Sequence, residues 1–391
     1  MSTTASASRL ATLPRPAITY AQARLWLGIC CVGFQVLFAI TALATGLPER
    51  LVPVLTERLQ STFLATFALF LLLAATLLPF DVFGGYILPR RFTRTAPAAS
   101  LFAFRLLRGI FVQVAVFTAS FVLYGWLGAV WGTAAVLTAF AGTQLILIAV
   151  QSQVARWTGG LRTSGRVPSS EAAVLHSDDD GFTGGITGLP GWDRVVIPDS
   201  WSETYSDEVY RTAVRRRQLI VTSGLRRRGV IAAVGWNTML LAVALWLPGG
   251  GGETLVALTN SFLYFALLSF GGLLLLPVLS RRAVFAADRL TAEHLAAEHG
   301  GAALIAQLAA HADQVPEGEP LRSVQKESVF HPVPCGARRT AALESAATTT
   351  SGFWNVARTV LFCSWAFGGP LSRSVHCNIG RPDLWVLLPT D

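Results

Sequence analysis

The sequence predicts an all-α polytopic membrane protein, with about six transmembrane helices and a mainly helical cytoplasmic portion. Three observations carry this. Mean hydropathy is +0.50, and apolar residues make up 52% of the chain against 14% charged, far from the soluble average. Runs of about 20 apolar residues recur, each long enough to cross a hydrocarbon core of about 30 Å as a helix. The basic residues are nearly all arginines flanking those runs, with Lys326 the only lysine. The formal charge of +8 is therefore assigned to membrane topology. No nucleic-acid partner is expected. A soluble chain of 391 residues would suggest two or three domains, but the apolar runs overrule that.

Residues 1–22 are rich in Ser, Thr and Ala and predict a disordered tail. Residues 23–151 read as a four-span membrane bundle. The first span is Leu25 to Ala44; its Ala42-Leu43-Ala44 has the form of a signal-peptidase site, but the apolar run outlasts an ordinary signal peptide, so a retained anchor is expected. A loop carrying Glu49, Arg50, Glu57 and Arg58 precedes the second span, Ser61 to Phe80. In the stretch Asp81 to Arg91, Gly84-Gly85 and Pro89 predict a turn at the membrane surface. Arg90 and Arg91 there follow the positive-inside rule or hold lipid headgroups. Spans three and four, Gly109 to Ala129 and Trp131 to Gln151, meet at an uncharged turn near Gly128 to Gly132.

Residues 152–228 form a polar cytoplasmic region. His176-Ser177-Asp178-Asp179-Asp180-Gly181 resembles the start of a calcium loop, but Thr187 stands where the closing acid belongs, so a solvated loop is expected. The β-branched run in Asp193 to Pro198 predicts a short strand near 194–198. Ser206-Asp207-Glu208 reads as a helix start, a capping serine with acids in the first turn. Residues 229–279 form a membrane hairpin of spans five and six, joined at Gly249 to Gly252. Residues 280–391 read as a cytoplasmic helical region. Its apolar patch, Phe353 to Phe367, contains Arg358 and ends at Gly368-Gly369-Pro370, which predicts a buried or interfacial helix rather than a seventh span.

Six spans with both termini cytoplasmic, in a bacterial-type plasma (cytoplasmic) membrane, put every arginine cluster on the inner side. The five cysteines, Cys30, Cys31, Cys335, Cys363 and Cys377, form no C-x-x-C pair and read as free thiols. Within the spans, Gln35, Gln113, Gln144, Asn237 and Asn260 suit helix-to-helix hydrogen bonds better than a substrate path. Phe330 to Gly336 sets His331 near Cys335, but two prolines make it a structural turn.

The order of a basic helix (Val209 to Arg228), a membrane hairpin and then Ser280-Arg281-Arg282-Ala283-Val284-Phe285-Ala286-Ala287-Asp288 resembles the membrane-embedded zinc metalloproteases of the CAAX-prenyl-protease and heat-shock-protease family. The resemblance covers about Arg194 to His299. It implies His-Glu-x-x-His on the helix before the hairpin and a third ligand, Glu, four residues before Asp288. In that family the histidines bind zinc from one helix face and the intervening Glu activates the metal-bound water.

Those ligand positions are substituted. One register places the motif at Arg215-Arg216-Arg217-Gln218-Leu219, the other at Arg216-Arg217-Gln218-Leu219-Ile220, and the third-ligand position is Val284. Arginine has no lone pair to give a metal. His294 and Glu298 share a helix face, with His299 adjacent, and form the weak alternative metal site. Arg226, Arg227 and Arg228 lie beside span five and could hold anionic headgroups; Arg215 to Arg217 could pair with Asp207 and Glu208 or bind an acidic partner.

The expectation is thus a catalytically inactive homologue of these metalloproteases, acting as a scaffold or as a binder of lipids or another membrane protein, with no cofactor. A small transporter or channel component is the alternative. An active zinc metalloprotease with relocated ligands comes last.

Overall fold

A computed structural model describes residues 18–92, 94, 97–164, 172–296, 301–312, 322–345 and 351–387. Most of the expected N-terminal tail, and both Glu298 and His299, lie outside them. Helix α1 (Tyr20–Ala44) starts at Thr19, whose hydroxyl accepts from the Gln22 amide in a capping box. The loop expected next is instead a helix, α2 (Leu47–Leu59), with Pro48 in its first turn. Its Glu49, Arg50, Glu57 and Arg58 are all exposed, so one charged face keeps it at the surface.

Helix α3 (Thr62–Val82) runs through a π-helical turn, Phe83–Ile87, into α4 (Leu88–Arg91) without the expected break. The glycines admit a neighbour: a Cβ on Gly85 would stand 2.2 Å from the Gly380 carbonyl oxygen, and one on Gly84 would stand 2.7 Å from the Ile379 side chain. Helix α5 (Ala99–Ala149) is bent back on itself at Gly132, with φ 75° and ψ −173°. Tyr124 and Phe140 would be about 24 Å apart along a straight helix, yet their ring centroids are 6.3 Å apart. Among the described residues, five helices are long and apolar enough to span a membrane, and the bend in α5 makes six crossings of them.

Short α6 (Gln151–Gly159) leads to the sheet: β1 (Arg162–Thr163), β2 (Ala173–His176), β3 (Gly185–Thr187) and β4 (Arg194–Pro198). Their order is β1-β2-β4-β3, with β2 and β4 parallel and the outer pairs antiparallel. The expected strand at 194–198 is thus one of four in a portion read as mainly helical. Next come α7 (Trp201–Thr204), α8 (Asp207–Thr222) and the hairpin of α9 (Leu225–Trp246) and α10 (Leu255–Ala296). Ser206 caps α8, accepting from the Val209 amide at 3.4 Å. Helices α11 (Gly301–Ala312), α12 (Val324–Phe330) and α13 (Gly336–Glu344) then pack beside α8 and α10.

The last described stretch does not stand apart from the membrane helices. Helix α14 (Val356–Cys363), a 3₁₀ turn (Ser364–Phe367) and α15 (Leu371–Ser374) run inside the bundle. Phe367 sits 5.0 Å from Phe121 and 5.5 Å from Phe265 by ring centroid, and Trp365 lies 5.9 Å from Phe117. Each such aromatic pair contributes about 0.5–1.5 kcal/mol beyond area burial. The patch at 353–367 is therefore the buried helix the sequence suggested, and it occupies the middle of the span bundle.

Four of the five amide residues expected to bond between helices, Gln35, Gln144, Asn237 and Asn260, tie elements together; the buried Gln113 Nε2 has no hydrogen-bond partner among the described residues. Asn237 donates to Gln144 at 3.3 Å and to the Val360 carbonyl at 3.0 Å; Gln35 donates to Ser374; Asn260 donates to Glu49 at 2.6 Å. These contacts satisfy groups that lipid would leave unpaired.

Candidate functional site

Helix α8 presents its arginines on different faces. Arg215 is exposed and meets His294 Nε2 at 2.5 Å. Arg216 and Ile220, one turn apart, are 1% and 0% exposed and face α10. Arg216 Nε donates to Asp288 Oδ1 at 2.7 Å, while Ile220 packs with Ala283, Ala286 and Ala287. Of the two registers, 216–220 rather than 215–219 thus faces Asp288 and the alanines of α10 on either side of Val284. Leu219 is only partly buried and Val284 is buried.

Arg339, on α13, completes the arrangement. Its Nε and Nη2 reach Asp288 Oδ2 and Oδ1 at 2.7 and 2.9 Å, a two-pronged grip. Two guanidiniums thus close on one carboxylate, and all three side chains are at most 1% exposed. The expected pairing with Asp207 and Glu208 does not hold Arg216, because those acids are exposed. Arg217 turns the other way, donating to the carbonyls of Thr183 (2.6 Å) and Val196 and lying 4.9 Å from the Trp201 ring centroid. It fastens α8 to the sheet.

Zinc needs lone pairs from imidazole, thiolate or carboxylate. Positions 216, 217, 220 and 284 supply none, and both oxygens of Asp288 are engaged by arginines. Among the described residues no group of three or more His, Cys, Asp or Glu could hold a metal. The residues of this site do not fit a zinc ion. His294 points away from it, on the exposed face with Arg215.

The other matching positions of the short pattern have structural partners. Ser280 Oγ accepts from the Ala357 amide at 3.1 Å at the start of α14, and Arg281 donates to the Glu327 carbonyl. The stretch before α14 threads between α9 and α10 where glycine leaves room: a Cβ on Gly229 would stand 2.1 Å from the Trp354 carbonyl oxygen.

No protein-family model matches the sequence, and no curated protein matches it. Solved structures do. The crystal structure of Ste24p from S. mikatae is similar with a TM-score of 0.61 at 11% identity, covering 84% of this chain and 100% of that one. The chain has a polytopic helical membrane fold like that of Ste24p, so the frame that the sequence pattern resembles is present in three dimensions.

The arginines read as lipid contacts divide. Arg226 is 4% exposed and structural: it pairs with Asp193 at 2.5 Å and donates to the Gly188 carbonyl at 2.7 Å. Arg227, Arg228 and Arg91 are exposed. Arg90 is exposed too, but folds over Tyr86, 3.6 Å from its ring centroid.

Two further charge clusters escaped the sequence reading, and both fasten the C-terminal stretch. Arg373 is buried against Asp81, whose other oxygen accepts from the Gly380 amide at 2.9 Å. Arg24 donates to the carbonyls of His376, Gly84 and Ile379 at 2.9, 2.8 and 3.0 Å. The acidic loop keeps Asp178 and Asp180 exposed, as expected of a solvated loop, but it is also tied down: Asp178 pairs with Arg105 and His176, and the less exposed Asp179 with Arg381. A signal was present, since Asp81 and Arg373 are isolated charges in apolar company.

Asp383 lies beside this loop, buried and accepting from Ser177 at 3.1 Å. Burial and the neighbouring Asp179 push its carboxyl up to about 7, while Arg381 holds Asp179 below the usual carboxylate range. A raised folded-state value means that the contribution of Asp383 to stability is full below pH 4 and is lost as pH rises towards 7. At most about 4 kcal/mol is at stake. Asp383→Asn should therefore be more stable than wild type at pH 8 and closer to it at pH 5, a narrowing gap readable from melting curves at the two pH values.

Proposed function

We propose that this chain is a metalloprotease-fold membrane protein without hydrolytic activity, retained as a scaffold or as a binder of lipid or protein partners. One observation carries the reading: the buried Arg216–Asp288–Arg339 cluster fills the place where the resembled family would hold its metal. A permanently protonated guanidinium can neither ligate zinc nor accept a proton from water at that position. The filled bundle interior supports the same reading, because Phe367 and Trp365 occupy the space between the spans. It also counts against a transporter or channel, which needs a polar path. Arginine placement favours both termini on the cytoplasmic side of a bacterial-type plasma membrane, since Arg91, Arg227, Arg228 and the sheet share one end of the bundle.

The test is proteolysis of unfolded casein by the purified protein with and without a chelator. No chelator-sensitive hydrolysis above a no-protein blank is expected. Chelator-sensitive cleavage that co-elutes with the protein would overturn the reading.

A further inference from the structure

The turn between β3 and β4, residues 188–193, is fixed to a membrane helix. Arg226, in the first turn of α9, donates to the Gly188 carbonyl at 2.7 Å and pairs with Asp193 at 2.5 Å, so it grips both ends of the turn. The turn is also closed on itself: the Trp192 amide donates to the Leu189 carbonyl at 2.8 Å, and the Gly191 amide to Asp193 Oδ2 at 2.9 Å. Leu189 packs against Ile148, Val230 and Cys363. Ile148 lies at the end of α5 and Val230 in the second turn of α9, so the turn is level with the ends of two spans. This pinned turn holds Trp192 outward at 77% exposure.

Helix α9 gives the depth of that level. From Arg226 to Trp246 the helix rises about 30 Å, the thickness of a hydrocarbon core. Trp246, at the far end, is 86% exposed, and Trp126 and Trp131, beside the bend of α5 at that same end, are exposed too. Trp157 repeats the arrangement at the sheet end. It is 61% exposed on α6, and the carbonyl of its neighbour Thr158 accepts from Arg108 Nε at 3.3 Å, beside Gly109, the first residue read as span three. Tryptophan favours the boundary between hydrocarbon and headgroups, where the ring is apolar and the indole N–H stays hydrated.

We propose that the β3–β4 turn is an interfacial anchor: Trp192 inserts among the headgroups and upper acyl chains of the bilayer that holds the spans, and docks the sheet on the membrane surface. Lipid is the occupant of this exposed face because the turn is fixed at the edge of the hydrocarbon core. The span that fixes it exposes Ile231 one residue after Val230, so the lipid-facing surface begins beside the turn. Arg217 joins the same sheet to α8 through the Val196 and Thr183 carbonyls, so the anchor also sets the height of α8 above the bilayer. This inference goes beyond the proposed function and holds whether or not the chain hydrolyses peptides.

The experiment uses the full chain with Cys30→Ala, which removes the exposed cysteine and leaves the four buried ones. In that parent, Trp192→Cys is labelled with a nitrobenzoxadiazole fluorophore, and Glu208→Cys, exposed at the far end of α8, is the labelled control. Both are reconstituted in phosphatidylcholine nanodiscs. Quenching is read with a lipid carrying a nitroxide near the top of its acyl chain, and separately with iodide in the water. The nitroxide should quench the turn label at least threefold more than the control label, and iodide should quench it at least threefold less. If Trp192→Cys melts below its parent, Arg194→Cys, exposed two residues on, carries the same expectation. A turn label as open to iodide as the control would overturn the proposal by placing the turn in water. A label shielded from iodide but not reached by the nitroxide would overturn it too, because protein would then cover the turn.

Discussion

Replacing Asp288 with alanine should destabilise the purified protein by about 3–5 kcal/mol, because the buried guanidiniums of Arg216 and Arg339 then lose their shared carboxylate. Both arginines are at most 1% exposed, so water cannot replace the lost partner without local opening. The expected result is a large fall in the denaturant midpoint in detergent. A triple variant, Arg216→Met with Asp288→Leu and Arg339→Met, should recover most of that loss, since an apolar replacement removes the desolvation cost along with the attraction. Near-neutral behaviour of Asp288→Ala would mean that the cluster is open to solvent and does not hold α8, α10 and α13 together.

Arg373→Ala should have an effect of similar size, about 3–5 kcal/mol, but a different signature. It leaves Asp81 buried without its ion-pair partner, on a helix whose glycines were shaped to receive the 379–380 loop. The C-terminal stretch should loosen first. Cys377, 7% exposed within it, then becomes reactive to a maleimide under conditions in which the wild-type thiol is protected. Gly85→Leu should reproduce the labelling by steric exclusion, because its side chain would begin inside the Gly380 carbonyl. Unchanged labelling in both variants would contradict the view that the Asp81–Arg373 pair and the glycine contact lock this segment inside the bundle.

Much of the architecture could be read from the sequence because the signals were local. Apolar runs located the spans, Ser206 marked the start of α8, the valines and isoleucine near 195 marked β4, and the amides Asn237 and Gln144 were rightly assigned to helix-to-helix bonds. Other features depended on distant residues. The strands β1 to β3 have two to four residues each, too few for alternation to register. Gly84-Gly85 has the same spelling whether it breaks a helix or admits a loop; what decides is Gly380, almost 300 positions away. Arg226 resembled a lipid contact until Asp193 was placed beside it.

The candidate site divides in the same way. The substitutions at the positions to which the resemblance assigns ligands were plain in the sequence, but two registers fitted, and only the packing of Arg216 and Ile220 against α10 separates them. Arg339 gave no warning, because nothing in a stretch of polar helix distinguishes an arginine that will be buried on a carboxylate from one that will stay in water. Asp288 matched a pattern tied to a metal site, and here it serves two arginines.

The central claim is that arginine and hydrocarbon stand where a metal would be held. Its most direct test is the zinc content of the untagged, detergent-purified protein, measured beside a His294→Ala variant after dialysis against zinc. The account predicts well under one-tenth of a zinc per chain in both. About one tightly held zinc per chain, whether kept or lost in the variant, would contradict it.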